Sequence, residues 1–383
     1  MKSILSTLMF ICLSATVFSQ QASKANDALL LEYYQNQRFA EAADYLKKIY
    51  PEPVSGIKPL AQLAYTANMA GRLSDAEGYY QRIYNADSTN LSVLYSLGSL
   101  NLRRGNAVKA EGFYKKIILR DTTNFLVYKQ LATISSDKSD IPQYIYYLQK
   151  ANKLNPAEPD VASDLSDVYV SLKFNSTAEK VLAAAIAADP ENIVLLNSLL
   201  KLVYVQKKWP ETIETGLKLI KAGNNSGQVL TKLGVGYYNI KNYQCSAETF
   251  ADMTQLAQNE TSYYYWALAY KALKDNKMAI AKMYLAINEG VSPNVASYYG
   301  EIADSNEKLL KYKKAAQAYQ KSVQFDDQNA MIYYSMASLY DTNLKDKKNA
   351  VKYYRLYLAA KPPVEKQKSF IDYSKSRLAM LGR

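Results

Sequence analysis

Residues 233–250 read LGVGYYNIKNYQCSAETF, and the fold turns on whether Gly234 and Gly236 form a phosphate-cradling loop or lie inside a helix. Comparison of the chain with itself decides it. Gly234, Tyr237, Tyr243, Ser246 and Phe250 stand in register with Gly98, Asn101, Ala107, Ala110 and Tyr114, 136 residues upstream, which is four steps of 34. Units of that period start at Ser23, Ile57, Leu91, Phe125, Pro159, Ile193 and Gly227, then at about Glu260, Ala296 and Ala330 after small slips. A phosphate loop needs a third glycine and a preceding strand, and neither is present.

The eighth place of each unit is small in eight of ten: Ala64, Gly98, Ala132, Ser166, Gly234, Ala267, Ala303 and Ala337, with Leu30 and Leu200 departing. The twentieth place is small in Ala42, Ala76, Ala110, Ala178, Ser246, Ala279, Ala315 and Ala350, against Tyr144 and Thr212. Small side chains at two fixed places let two helix backbones approach where they cross. Pro156, Pro190 and Pro362 fall where a helix has to end, and Pro142 and Pro210 where a second helix begins and a missing N–H costs nothing. The sixth unit, with Leu200, Trp209, Thr212 and Gly216, is the most irregular.

This pattern resembles the tetratricopeptide repeat, a helix–turn–helix unit of 34 residues. The resemblance implies an all-α, right-handed superhelical solenoid of about ten units over residues 20–362. The segment EKQKSFIDYSKSRLAMLGR then carries Phe370, Tyr373, Leu378 and Leu381 at helical spacing, as a capping helix over 363–383 would.

Composition narrows the chemistry. The 383 residues are 49% hydrophobic and 21% charged, a globular balance with few glycines and prolines. Histidine is absent, which removes the usual general base and the commonest metal ligand. Of the two cysteines, Cys12 lies in the N-terminal segment MKSILSTLMFICLSATVFSQ, which reads as a secretory signal over 1–19. Cys245 then has no partner for a disulfide and no imidazole to activate it. The S-x-x-K string occurs at Ser135/Lys138, Ser198/Lys201 and Ser305/Lys308 without its companion motifs. We therefore expect no catalytic site, metal or cofactor, and residence in the periplasm, with secretion or association with the envelope as the alternatives. The Ser-Gln at the cleavage region resembles exported proteins of Bacteroidota. No mature stretch is apolar enough to cross a membrane.

What remains is surface. The resemblance places first helices on a concave face, where Tyr34, Tyr65, Tyr95, Tyr204, Tyr238, Tyr264 and Tyr334 fall, joined by Asn68, Arg103, Asn197, Lys201, Thr231, Asn239 and Lys271. Tyrosine offers a rigid apolar ring and a hydroxyl at little rotamer cost. Such a face suits a protein partner presenting a peptide or helix, and as the alternative a glycan. Family members that bind chaperones clamp a terminal carboxylate with an ordered Lys/Asn/Lys/Arg set, and Asn197 and Lys201 stand in a different order.

A second surface is basic. The chain carries 47 basic and 35 acidic residues, and residues 341–383 hold 11 basic against 4 acidic. Lys345, Lys348, Lys352 and Arg355 recur at helical spacing and point to an anionic envelope surface or an acidic partner, while export argues against nucleic acid. Asp87-Ser88-Thr89 and Asp121-Thr122-Thr123 resemble O-glycosylated turns of exported Bacteroidota proteins, and equally suit a capped turn.

Overall fold

The structure is a computed structural model that describes residues 27–289 and 294–382. The expected signal segment, with Cys12, lies outside the described residues. The chain forms two compact units, one ending at Leu154 and the other beginning at Asn155. In the first unit α1 (Asp27–Gln35) pairs with α2 (Phe39–Ile49), α3 (Ile57–Met69) with α4 (Leu73–Ala86), α5 (Leu91–Arg103) with α6 (Ala107–Ile118), and α7 (Phe125–Asp137) with α8 (Ile141–Leu154). In the second, α9 (Pro159–Ser171) pairs with α10 (Asn175–Ala188), α11 (Ile193–Val205) with α12 (Trp209–Lys221), and α13 (Gly227–Asn239) with α14 (Tyr243–Ala251). There follow α15 (Glu260–Ala272) with α16 (Asn276–Asn288), α17 (Val295–Lys308) with α18 (Tyr312–Phe325), and α19 (Ala330–Ser338) with α20 (Lys347–Ala359). The second unit closes with α21 (Val364–Leu381). No strand occurs among the described residues, so the fold class is all-α, a solenoid of repeated helix pairs.

The crossings explain the small residues. Ala64, Ala110, Ser166, Ala178, Ser246 and Ala303 have no exposed surface at all. At Gly234 a Cβ would stand 2.6 Å from the Phe250 ring, and at Gly98 it would stand 2.7 Å from the Tyr114 ring. The glycine and the aromatic residue sixteen places on are one packing unit: the hydrogen left by the first makes room for the ring of the second. Pair α11–α12 reverses the arrangement, with buried Leu200 at the first place and Gly216 at the second, where Leu233 of α13 fills the space. Volume is conserved across the crossing while its distribution changes. Because Ala110 is completely enclosed, Ala110→Leu is expected to destabilise the first unit by about 1–3 kcal/mol in denaturant titration through overpacking.

Each pair turns the same way. The residue closing the turn has positive φ in all ten pairs: Gln37, Gly71, Gly105, Ser139, Lys173, Lys207, Lys241, Lys274, Leu310 and Lys345. The next N–H reaches back to a carbonyl of the first helix, as Arg72 to Ala67, Asn242 to Tyr237 and Lys311 to Asn306. This satisfies helix-end carbonyls in the Schellman manner. Only two of the ten carry glycine, so the turn is dictated by the packing of both helices rather than by the residue's own preference.

Turn strings between pairs also resolve. Thr89 and Thr123 each direct N–H and hydroxyl to Oδ1 of Asp87 and Asp121, at 2.6 to 2.9 Å. The helix caps themselves are Asn90 and Asn124, whose side chains accept from Val93 and Val127. The two aspartates therefore fold the loop ahead of the caps.

The last pair explains one register slip. Ala337 and Ala350 are thirteen apart, where earlier crossings are twelve apart, and a π-helical turn over Leu339–Asn343 absorbs the extra residue. That turn holds Asp341, whose side chain is 4% exposed, in a two-pronged ion pair with Arg377 of α21, Nε to Oδ2 and Nη2 to Oδ1 both at 2.6 Å. Val364, where α21 starts, is 34 residues beyond Ala330, so α21 stands where the first helix of an eleventh pair would.

Candidate functional site

First helices in the second unit pack side by side, α9 on α11, α11 on α13 and α13 on α15, and partly exposed tyrosines on them meet one another and the buried ring of Tyr298. Tyr238 lies 5.4 Å from Tyr265, Tyr265 lies 5.4 Å from Tyr264, and Tyr264 lies 4.9 Å from Tyr298, measured between ring centres. A ladder of rings thus crosses α13, α15 and α17, with Tyr243 of α14 adjoining Tyr238 at 5.5 Å. The Tyr238–Tyr265 and Tyr265–Tyr264 contacts are edge-to-face and the other two tilted, arrangements that aromatic pairs favour over a face-to-face sandwich. Burial pushes the Tyr264 hydroxyl up to about 12, with Glu301 adding to the rise. The Tyr238 hydroxyl is raised chiefly by burial and then by Tyr243 and Glu301, and Tyr204 by burial and Tyr265. At neutral pH these groups are uncharged hydrogen-bonding hydroxyls on an apolar wall.

Charged side chains frame the ladder. Lys271 reaches Glu301 at 2.5 Å and also pairs with Asp304. Its ammonium is desolvated, yet the two carboxylates more than compensate and raise its pKa. Lys201 sits 3.1 Å from Asp167 Oδ2. Asp167 Oδ1 is buried with no protein partner. Lys232 of α13 is half-buried and lowered by desolvation first, then by Lys201, with Asp167 opposing. Sequence reasoning had not singled out Asp167, Lys232, Tyr265 or Tyr298. Lys232 and Tyr265 sit one place beyond the positions taken from the resemblance, and their exposure depends on how neighbouring first helices are rotated.

The predicted residues are divided between the two units. Tyr204, Tyr238, Tyr264 and Lys271 belong to the ladder and its frame. Tyr204, against Trp209 at 5.8 Å, shares a helix face with Lys201 three residues earlier. Asn197 accepts from Asn224 at 3.1 Å, while Thr231 and Asn239 are turned onto their own helix, bonding the carbonyls of Gly227 and Val235. In the first unit Tyr65 is exposed and stands 5.7 Å from Tyr34, Tyr95 packs on Tyr114, and Arg103 bridges to Asn68 at 2.7 Å. Tyr334 is covered: Phe370 of α21 lies 4.8 Å away and Tyr373 lies 6.3 Å away, so the closing helix takes the place a ligand would need. Cys245 is half-buried in α14 with its N–H on Asn242. Among the described residues no group of acidic or cysteine side chains could hold a metal ion, and no helix is long and apolar enough to cross a membrane.

No family model and no curated protein matches the chain. Solved structures do. The chain is similar to a MamA protein at 21% identity over 46% of this chain and 94% of that one, with a TM-score of 0.41. It is similar to a tetratricopeptide repeat protein from Parabacteroides merdae at 14% identity, over 72% and 95% of the two chains, with a TM-score of 0.40. It is also similar to the Cut9–Hcn1 assembly at 11% identity, over 92% and 97%, with a TM-score of 0.47.

Proposed function

We propose that the protein is a non-catalytic scaffold, exported to the periplasm, that holds a peptide or helical segment of a protein partner against the tyrosine ladder of the second unit. The observation that carries this reading is the ring ladder Tyr238–Tyr265–Tyr264, backed by the buried Tyr298, on first helices that also carry a carboxylate oxygen of Asp167 with no protein partner and a half-buried ammonium on Lys232. Rings give a broad apolar contact at low entropic cost, and the hydroxyls, carboxylate and ammonium match the donors and acceptors of a peptide chain. A glycan on the same face would use the rings without needing the charged pair.

The test is crosslinking of the tagged protein in cells, followed by mass spectrometry, with Tyr204→Ala/Tyr238→Ala/Tyr264→Ala beside the wild type. Loss of three anchor rings is expected to weaken partner binding by more than about tenfold. The matching triple Phe variant keeps the packing and should retain most capture. Equal capture by the alanine variant, with helical circular dichroism unchanged, overturns the proposal. Capture of saccharide that survives protease treatment of the bound fraction would assign the face to a glycan.

A further inference from the structure

The second helices of the last three pairs carry no acidic residue. α16 bears Lys277 and Lys282, α18 bears Lys313, Lys314 and Lys321, and α20 bears four more cations, among them the predicted Lys348, Lys352 and Arg355. Six of the seven earlier second helices mix signs or carry acid, as in Glu41 and Asp44 of α2 or Glu211 and Glu214 of α12. The first helix α17 holds Glu301, Asp304 and Glu307, and on the second-helix side acid is confined to the helix ends, with Asp275 capping α16, Asp326 following α18 and Asp346 capping α20. None of the nine cations is in an ion pair among the described residues; Lys282 lies 3.3 Å over the Trp266 ring and Lys352 lies 5.0 Å over the Tyr353 ring. Lys345 stands apart from them, closing the turn before α20 with positive φ.

The surface also has depth. α16 and α18 both pack on α17, and between them lies a cavity of about 660 Å³ floored by Tyr299 and Asn306. Lys277, Lys311, Lys314 and Lys321 reach it, the half-exposed Tyr284 forms one wall, and Gln317 and Gln324 add amides. No acidic side chain lines it. Tyr299 is held flat by Phe325, their rings stacked at 5.9 Å and 8°.

We propose that this outer face binds a polyanionic saccharide, with one acidic sugar ring seated in the cavity between α16 and α18 and the chain continuing over the α20 cations. Like charges gathered without counter-charges are costly to hold together unless an anion neutralises them. Charge alone would fit any anion, and the cavity narrows the class. A fixed tyrosine face suits the C–H face of a sugar ring, amides suit vicinal hydroxyls, and the volume is that of a small-ligand pocket. A flat bilayer cannot enter it, and an acidic peptide would leave the ring faces unused.

The probe is a size-defined oligogalacturonide, measured by isothermal titration calorimetry at two salt concentrations. Neutral dextran, poly-glutamate and phosphatidylglycerol vesicles serve as the other arms. The wild type is expected to bind the oligogalacturonide, more weakly at high salt, and not to bind dextran. Lys277→Glu/Lys314→Glu/Lys321→Glu, all at exposed positions, should lower affinity by at least about tenfold. Tyr284→Ala should lower it several-fold while leaving the salt dependence unchanged, because it removes a stacking wall and no charge. The tyrosine-ladder variant should bind the saccharide as the wild type does, so failure here and failure of the scaffold reading are separable. The proposal is overturned if the triple reversal binds the oligogalacturonide unchanged, if poly-glutamate binds as tightly and Tyr284→Ala has no effect, or if only the vesicles bind.

Discussion

Gly234→Ala is expected to destabilise the second unit by about 2–3 kcal/mol, near the upper end of overpacking costs, even though alanine is the better helix former. Propensity favours the substitution by about 1 kcal/mol, but the new methyl would stand 2.6 to 2.9 Å from three atoms of the Phe250 ring. Phe250 is completely buried and cannot swing away. The same crossing is solved elsewhere with a larger first residue and a smaller second one: Ala132 with Leu148, and Ser166 with Leu182, all buried. Phe250→Leu alone should cost about 1–2 kcal/mol by leaving a cavity. Gly234→Ala/Phe250→Leu together should be more stable than the sum of the single changes by at least about 1 kcal/mol, since residues in contact couple. Denaturant titration of the four proteins closes the cycle. Strict additivity would show that glycine and ring do not share one volume.

Asp341→Ala is the second large effect. Its carboxylate is nearly enclosed and takes both prongs of Arg377, with the Tyr354 hydroxyl at 3.2 Å. Removing it leaves Arg377 and Tyr354 without their acceptor. The expected cost is about 2–3 kcal/mol, less than for a fully buried pair because Arg377 keeps access to water. The loss should be local: α21 should become the first segment cut in limited proteolysis, uncovering Tyr334. The Arg377 hydrogen bonds hold the Asp341 carboxyl below the usual carboxylate range. A carboxylate depressed in the folded state contributes stability that is complete above its unfolded value of about 3.9 and is lost as pH falls through the folded value. Protease sensitivity of α21 in the wild type should therefore rise below about pH 4, and Asp341→Asn should flatten that dependence. A helix equally protected in wild type and variant would remove the ion pair from the account.

Most of the architecture was legible in the chain because crossing helices impose a local rule. Small residues twelve apart mark where two backbones meet, and prolines at the joints mark helix ends. The turn was less legible, since eight of its ten positive-φ residues are not glycine. So was the slip in the last pair, where a single extra residue could have lengthened a loop and instead became a π-turn holding Asp341. The candidate site was legible only in kind: tyrosines were expected on the first helices, but Tyr334 lies under α21, and Tyr265, Tyr298, Asp167 and Lys232 emerged from contacts between helices far apart in sequence.

Period, helix class, crossing residues and the absence of histidine chemistry are properties of neighbours along the chain, so the sequence by itself determined them. Which rings form a ladder, which lysines keep a carboxylate and which gather without one depend on the rotation and spacing of helices 30 or more residues apart. Those are set by how whole side-chain volumes fill the gaps between pairs, and only the tertiary structure decided them.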